Sequence, residues 1–344
     1  MAQLGATMPA AVYKGRRTVQ VEEVPVPNVG PGQVLMEVSH CGICGSDLHM
    51  IMEDWGTPGS ISGHEYSGVL VEIGEGTSGW SAGDRAIGGP SRGCGRCEWC
   101  RSGRTNLCAN KPKFGIDPFV GAFARYKLID ADCLYRVPDG LELRSAALTE
   151  PLAVALRGVR RAGPSAGRPV LVTGGGPIGQ LTVAVLIADG VTDITVSEPS
   201  EVRQDLVRRI GASRVIRPDE LHSPPLPMDV ADGAYAAAFE CSGRPEAMEV
   251  ALDNLDRAGM LVLSGTGMKR PRFDSNRIIL NELVITGTVE YTPADYDAAI
   301  DLLASGRLPV DALVEAEDQP LDRVQWAMEQ LSRGDLAGKV MVAP

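Results

Sequence analysis

Residues 169–179, Pro-Val-Leu-Val-Thr-Gly-Gly-Gly-Pro-Ile-Gly, carry an unbroken apolar run into a glycine turn and out into a helical stretch, IGQLTVAVLIAD. That junction constrains the chain more than any other feature. A short apolar run bounded by glycines reads as a strand buried on both faces, and such strands belong to parallel sheets covered by helices. The downstream pattern agrees. DITVSE reads as a strand, EVRQDLVRRIGA as a helix closed by Gly211, and RVIR as a short strand. AYAAAFECSG, EAMEVALDNLDRAG and GMLVLSG continue the alternation, and LVITG ends it. Strand alternating with helix predicts a parallel sheet joined by right-handed crossovers.

Gly174-Gly175-Gly176-Pro177-Ile178-Gly179 fits the spacing G-x-G-x-x-G, and the acidic Glu198 ends the next strand 19 positions after Gly179. Gly174 would permit the tight turn, Gly176 would let a pyrophosphate approach the backbone, and Gly179 would let helix and strand pack closely. Amides at the helix start would then face phosphate charge. Glu198 would accept hydrogen bonds from the adenosine ribose and repel a 2′-phosphate, which favours NAD over NADP. Arg203, five residues on, is a candidate to flank the adenine and would soften that preference.

The first 140 or so residues follow another rule. VQVEEV, QVLMEVS, YSGVLVEIG and FARYKLI are short strand-like runs separated by turn signals such as SAGDRAI and RVPDGL. They predict a mostly antiparallel barrel or sandwich. The Pro-rich HSPPLPMD reads as a surface loop. After Gly287 two helical stretches, DYDAAIDLLASG and LDRVQWAMEQLSRG, precede a last strand, KVMVA.

Four of the eight cysteines, Cys94, Cys97, Cys100 and Cys108, crowd into fifteen residues with turn glycines Gly93, Gly95 and Gly103 among them. Four thiolates at this spacing predict a tetrahedral zinc site with no open position, hence a structural one. No basic segment followed by an apolar run opens the chain, so no secretion signal is expected and a cytoplasmic location is. No apolar run reaches membrane-span length. With 33 Lys and Arg against 44 Asp and Glu, the net charge is −11, which argues against nucleic acid or an anionic membrane as partner.

Taken in order, CGICGSDLH at 41–49, GHE at 63–65, the four-cysteine lobe, TEPLAVALRG at 149–158 and the glycine fingerprint resemble the medium-chain zinc-dependent alcohol and polyol dehydrogenases along essentially the whole chain. The resemblance implies an α/β architecture: a GroES-like, mostly-β catalytic domain over 1–153 with its zinc lobe at about 90–110, a Rossmann doubly wound domain over 154–286, and a return to the catalytic domain over 287–344. It implies a hydride transfer between an alcohol and NAD, with two zinc ions per chain.

For the catalytic zinc the resemblance points to Cys44, His64 and Glu150. Spacing alone leaves Cys41 an equal candidate to Cys44. Glu65 is either a direct ligand exchanging with Glu150 or a neighbour of the ligands. Asp47 would orient His64, Ser46 would meet the substrate oxygen, and His49 would pass the proton on. Cys241, Ser264, Gly265 and Val289 join the cofactor contacts, and Trp55, Phe119, Glu290 and Tyr291 the substrate pocket. An oxygen-rich metal site and only 5% aromatic residues favour a polyol, cyclitol, amino-alcohol or sugar over simple alcohols. The rival readings are a reductase of the same fold without catalytic zinc and a non-enzymatic zinc-ribbon and nucleotide-binding module. A homodimer or homotetramer paired near LVITG is expected.

Overall fold

The structure is a computed structural model that describes residues 5–89, 93–111, 120–163, 165 and 167–344. Phe119 lies outside the described residues, as do 90–92 at the edge of the cysteine lobe.

The first half is built of antiparallel strands. β1 (Thr7–Gly15) and β2 (Thr18–Pro25) form a ribbon. β3 (Gln33–Gly42), β4 (Glu65–Ile73), β5 (Arg85–Gly88), β6 (Tyr126–Asp130) and β7 (Leu134–Arg136) form the main sheet. β3 pairs with β4 along one edge, and its other edge takes β6 near its start. The final strand of the chain, β14 (Met341–Val342), takes the end of that same edge, with Met341 opposite Gly42 and Val342 opposite Cys41. A two-residue strand adds little pairing energy. Its consequence is positional, because it draws residues 337–342 into the heart of the first half.

The second sheet is wholly parallel, in the order β10 (Arg214–Ile216), β9 (Ile194–Ser197), β8 (Val170–Thr173), β11 (Tyr235–Glu240), β12 (Leu255–Leu263), β13 (Val284–Gly287). This is the doubly wound order expected from the alternation, and the strand order reverses beside β8. All four residues of β8 and of β9 are buried, as a strand covered on both faces must be. The helix Glu201–Ile210 ends on Gly211 in a left-handed conformation (φ +119).

One detail differs from the sequence reading. The helical reading of EAMEVALDNLDRAG ends early: the helix stops at Asp253, and Leu255–Gly259 already belongs to β12. Leu255 pairs with Tyr235 and buries its side chain against the sheet, so tertiary pairing overrides local helical tendency. The helix Thr149–Ala162 runs unbroken across residues 153 and 154. It packs on the helices Pro177–Ala188 and Pro293–Ala304 within one apolar core, so this single element carries the chain from one half into the other. The helix Val324–Arg333 packs back on the first half, where Val324, Ala327 and Met328 join the core of β1, β3 and β4.

Candidate active site

The glycine turn has the shape its sequence implies. Gly174 adopts φ +94, and a Cβ there would come within 2.9 Å of Ser242. A Cβ on Gly179 would collide with the Gly174 carbonyl, which is the close helix packing that only glycine allows. A Cβ on Gly176 would meet nothing within 4 Å, so the backbone there faces open space. Gly176 begins the helix Pro177–Ala188 with no side-chain cap, leaving amides available to an anion. Glu198 is buried, accepts the Gly175 amide at 2.6 Å and the Ser200 amide at 2.8 Å, and so closes the turn from β9.

At the end of β11, Glu240 gathers the Ser242 amide (2.7 Å), the Ser242 hydroxyl and the Gly243 amide (3.1 Å) on one carboxylate oxygen. It is fully buried, and desolvation raises its pKa above the ordinary carboxylate value. The Ser264 and Gly265 amides both donate to its carbonyl at 2.9 Å, and the Cys241 thiol lies 3.8 Å from the Thr182 hydroxyl. Sequence reading picked out Cys241, Ser264 and Gly265 but missed Glu240, whose place at a strand end parallels that of Glu198. Arg203 donates to the Leu331 carbonyl at 3.0 Å, which ties the helix Glu201–Ile210 to the return segment.

The four cysteines of the lobe bring their sulfur atoms within 4.8 Å of one another. Cys97 and Cys108 sulfurs stand 3.9 Å apart, far beyond a disulfide bond, and none of the four lobe cysteines is disulfide-bonded. Backbone amides aim at the sulfurs: Cys94 and Asn110 onto Cys108 (3.3 and 3.4 Å) and Cys100 onto Cys97 (3.4 Å). The Asn110 side chain, 3.2 Å from Cys94, leads the interactions that lower that thiol's pKa to about 5. Cys97 is lowered too, chiefly by the Cys100 amide, whereas desolvation pushes Cys100 up to about 11. Clustered sulfurs held by N–H donors are a donor set suited to zinc.

A second group forms where distant segments meet. Donor atoms of Cys44, His64 and Glu65 lie within 4.8 Å of one another. Cys44 is the N-cap of the helix Gly45–Met52, and its amide donates to Asp47 Oδ2 at 2.9 Å. Asp47, fully buried, accepts the Gly63 amide on Oδ1 at 3.2 Å and stands 3.6 Å from His64 Nδ1. One carboxylate thus fixes the backbones before both ligand candidates and faces the imidazole, leaving Nε2 for the site. Cys41 points away: its buried thiol lies where a Cβ on Gly63 would come within 2.8 Å. Ser46 Oγ is 3.4 Å from His64 Nε2.

Glu65 opens β4 directly opposite Gly42, where any Cβ would strike its Oε2. Oε1 accepts Lys339 Nζ at 2.7 Å. Oε2 is buried with no hydrogen-bond partner, a polar atom that a cation would satisfy. The same ammonium donates to the Ile43 carbonyl at 3.0 Å, so Lys339 joins the residue before Cys44 to the residue after His64. Burial opposes its charge, but Glu65 outweighs that and raises its pKa. Sequence reading missed Lys339, although a lone lysine in the apolar GKVMVA was a usable signal.

Glu150 lies in the first turn of the helix Thr149–Ala162, outside the three-donor group. Burial raises its pKa to about 7, with His64 opposing and Glu65 reinforcing the shift. His49 stacks on Trp55 (ring centroids 5.1 Å apart, 14° between planes) and places Nδ1 2.9 Å from Glu53. Val289 and Glu290 follow β13: the Val289 carbonyl accepts Asn106 Nδ2 at 3.0 Å, and Glu290 pairs with Lys111. The glycine turn and the three-donor group are joined by one bridge. Gln180 donates to the carbonyls of Gly175 (2.8 Å) and Ala337 (2.5 Å), two residues before Lys339.

Comparison with known proteins agrees with this geometry. Residues 30–139 match the alcohol dehydrogenase GroES-like domain and residues 177–305 the zinc-binding dehydrogenase family. The chain is 37% identical over 330 residues to L-threonine 3-dehydrogenase of Pyrococcus horikoshii, covering 94% of each chain. It is 32% identical over 347 residues to sorbitol dehydrogenase of Bacillus subtilis, covering 98% of this chain and 97% of that one. Among solved structures, 2R,3R-butanediol dehydrogenase of Bacillus subtilis superposes with a TM-score of 0.84 at 30% identity, covering 98% and 99%. This chain belongs to the medium-chain, zinc-dependent alcohol and polyol dehydrogenases.

Proposed function

We propose that the chain oxidises a secondary hydroxyl flanked by further polar groups, as in a polyol, cyclitol, amino-alcohol or sugar, and passes the hydride to NAD. The observation that carries this is the meeting of Cys44, His64 and Glu65, with an unpartnered buried carboxylate oxygen, linked through Lys339 and Gln180 to an open glycine turn. The donor set mixes sulfur, nitrogen and oxygen, which suits zinc. Cys44, His64 and Glu65 would hold the metal, with Glu150 the candidate to exchange for Glu65. Bound there, zinc supplies the positive charge that acidifies a substrate hydroxyl.

The remaining work belongs to the chain. Asp47 holds His64 in one orientation. Ser46, beside His64 Nε2, is placed to accept the substrate's hydroxyl proton, and His49 to carry it onward under the cover of Trp55. The C–H hydride leaves for the nicotinamide as the C–O bond becomes a carbonyl. Gly174, Gly176, Pro177, Ile178 and Gly179 would cradle the pyrophosphate, and Cys241, Ser264, Gly265 and Val289 would border the nicotinamide side. Glu198 already turns both oxygens toward backbone amides at the turn, which supports ribose recognition and NAD over NADP, with Arg203 flanking. Trp55, Glu290 and Tyr291 would line the substrate side. The names of the similar proteins, threonine, sorbitol and butanediol dehydrogenases, support a secondary alcohol.

The domain division 1–153, 154–286 and 287–344 belongs to this reading, with catalysis between the first two. So do a cytoplasmic location, in keeping with four lobe cysteines that are not disulfide-bonded, and a homodimer or homotetramer. The edge strand β13 exposes Val284, and the nearby helix exposes Ile279 and Leu280, a surface suited to a second copy. None of the helices among the described residues is long and apolar enough to cross a membrane.

The test is a panel of polyols, sugars, L-threonine and short primary alcohols with NAD and NADP, following reduced cofactor at 340 nm alongside metal content. Turnover of vicinal polyols or amino-alcohols with two metals per chain is expected. Faster turnover of ethanol-like alcohols, or full activity after chelation to one metal, overturns it.

A further inference from the structure

The four-cysteine lobe reaches further than its own turn. Its small helix Glu98–Arg101 buries no side chain, yet Asn106, in the turn Thr105–Leu107 between Cys100 and Cys108, is buried. Asn106 Nδ2 donates at 3.0 Å to the carbonyl of Val289, 183 residues away, and Lys111, three residues beyond Cys108, pairs with the neighbouring Glu290. Glu290 holds φ +48, a left-handed conformation that a glutamate adopts only when its surroundings impose it. The next residue, Tyr291, is buried, packs its ring 5.1 Å from that of Tyr296 and shares one apolar core with Leu148 and Leu152, which flank Glu150.

A continuous path therefore leads from the sulfur cluster through Asn106 and Lys111 to Val289–Glu290, and through Tyr291 to Glu150. We infer that Asn106 and Lys111 are positioning residues by which the four-cysteine lobe sets the backbone at 289–291, and with it the placement of Glu150 beside the catalytic metal. The lobe's metal thus has a second task besides holding its own loop. The inference rests on the reading of Glu150 as part of the catalytic site. The hydrogen bond to Val289 fixes position without chemistry: Asn106 touches neither substrate nor reacting atoms.

The test compares Asn106→Ala and Lys111→Ala with Arg101→Ala, a change at an exposed lobe residue outside the path. Three quantities are read: metal content, the rate at which a chelator strips the catalytic metal from the otherwise intact enzyme, and kcat/KM. Asn106→Ala should keep two metals per chain, lose the catalytic metal roughly tenfold faster, and lose roughly tenfold in kcat/KM. Lys111→Ala should shift the same way by about threefold, and Arg101→Ala should match the parent. Combined with Tyr291→Leu, which removes the ring that packs on Tyr296, Asn106→Ala should add little, because both act through one path.

Unchanged stripping and turnover in both Asn106→Ala and Lys111→Ala overturn the inference, as does an equal loss in Arg101→Ala. If Asn106→Ala sheds the lobe metal too, Lys111→Ala, whose side chain touches no cysteine, decides by the same outcomes. Glu150→Gln separates the two claims. If it leaves stripping and turnover untouched, the reading of the site fails. If it impairs them while the lobe variants do not, only the tether fails.

Discussion

The two cysteine-bearing groups, each suited to a metal ion, are assembled by opposite means. The lobe draws all four ligands from fifteen consecutive residues, and its sulfurs are steadied by amides of that same stretch. The other group takes Cys44 from a helix start, His64 and Glu65 from the head of β4, and its counter-charge Lys339 from the end of the chain. Loop closure is brief in the first and nearly chain-long in the second. A local site can form when its own turns form. A convergent one exists only after both cores have packed, and its three donors match the number that a catalytic zinc site takes from the protein.

The sharpest way to break this comparison is to remove one ligand from each group. His64→Ala should cut kcat/KM by about a thousandfold or more while the lobe keeps its metal, since charge stabilisation at the reacting oxygen is lost. Metal content falling to one per chain with the fold intact checks it, and near-parental activity would show that His64 does not belong to the site.

Lys339→Met asks whether the convergent group depends on its buried ion pair. Removing the ammonium leaves Glu65 buried and uncompensated, which should cost about 3–5 kcal/mol in the metal-free protein. Adding Glu65→Gln should restore a large part of that. Denaturant unfolding of the four forms checks both statements; full additivity would mean that the two side chains do not act as a pair.

Cys97→Ser opens the lobe. It should release one metal and lower Tm by roughly 5–10 °C, because the metal's binding energy is folding energy for that segment. Catalytic metal should remain bound, though held less tightly if the Asn106 tether acts as inferred. Calorimetry with metal analysis reads both.

The smallest effect lies at the cofactor. Glu198→Ala should raise KM for NAD roughly tenfold and narrow the preference over NADP, with both metals unaffected. An unchanged ratio of kcat/KM for the two cofactors would remove Glu198 from ribose recognition.

The same contrast explains what was legible. The lobe, the glycine turn and the alternation of strand and helix were readable because each is written in neighbouring residues. Gly174 makes the left-handed turn and Gly179 the close helix packing that their spacing implied, and the sheet order follows from the crossovers. The choice of Cys44 over Cys41 was not readable from spacing. It depends on the turn at Gly42–Cys44, which leaves one thiol in the core and brings the other to His64. That Glu65 rather than Glu150 meets Cys44 and His64 was equally hidden, because it depends on the opening of β4 and on Lys339 across from it.

By itself, then, the amino-acid order determined whatever rests on short-range geometry: which runs become strands, where glycine must stand, and that four sulfurs share one loop. Only the tertiary structure decided how a two-residue strand at the chain's end would seat Lys339 between Ile43 and Glu65, and how Asn106 would reach Val289. The physical reason is that a buried charge or amide is specified by the partner that compensates its lost hydration, and those partners lie hundreds of residues away, where no periodicity points.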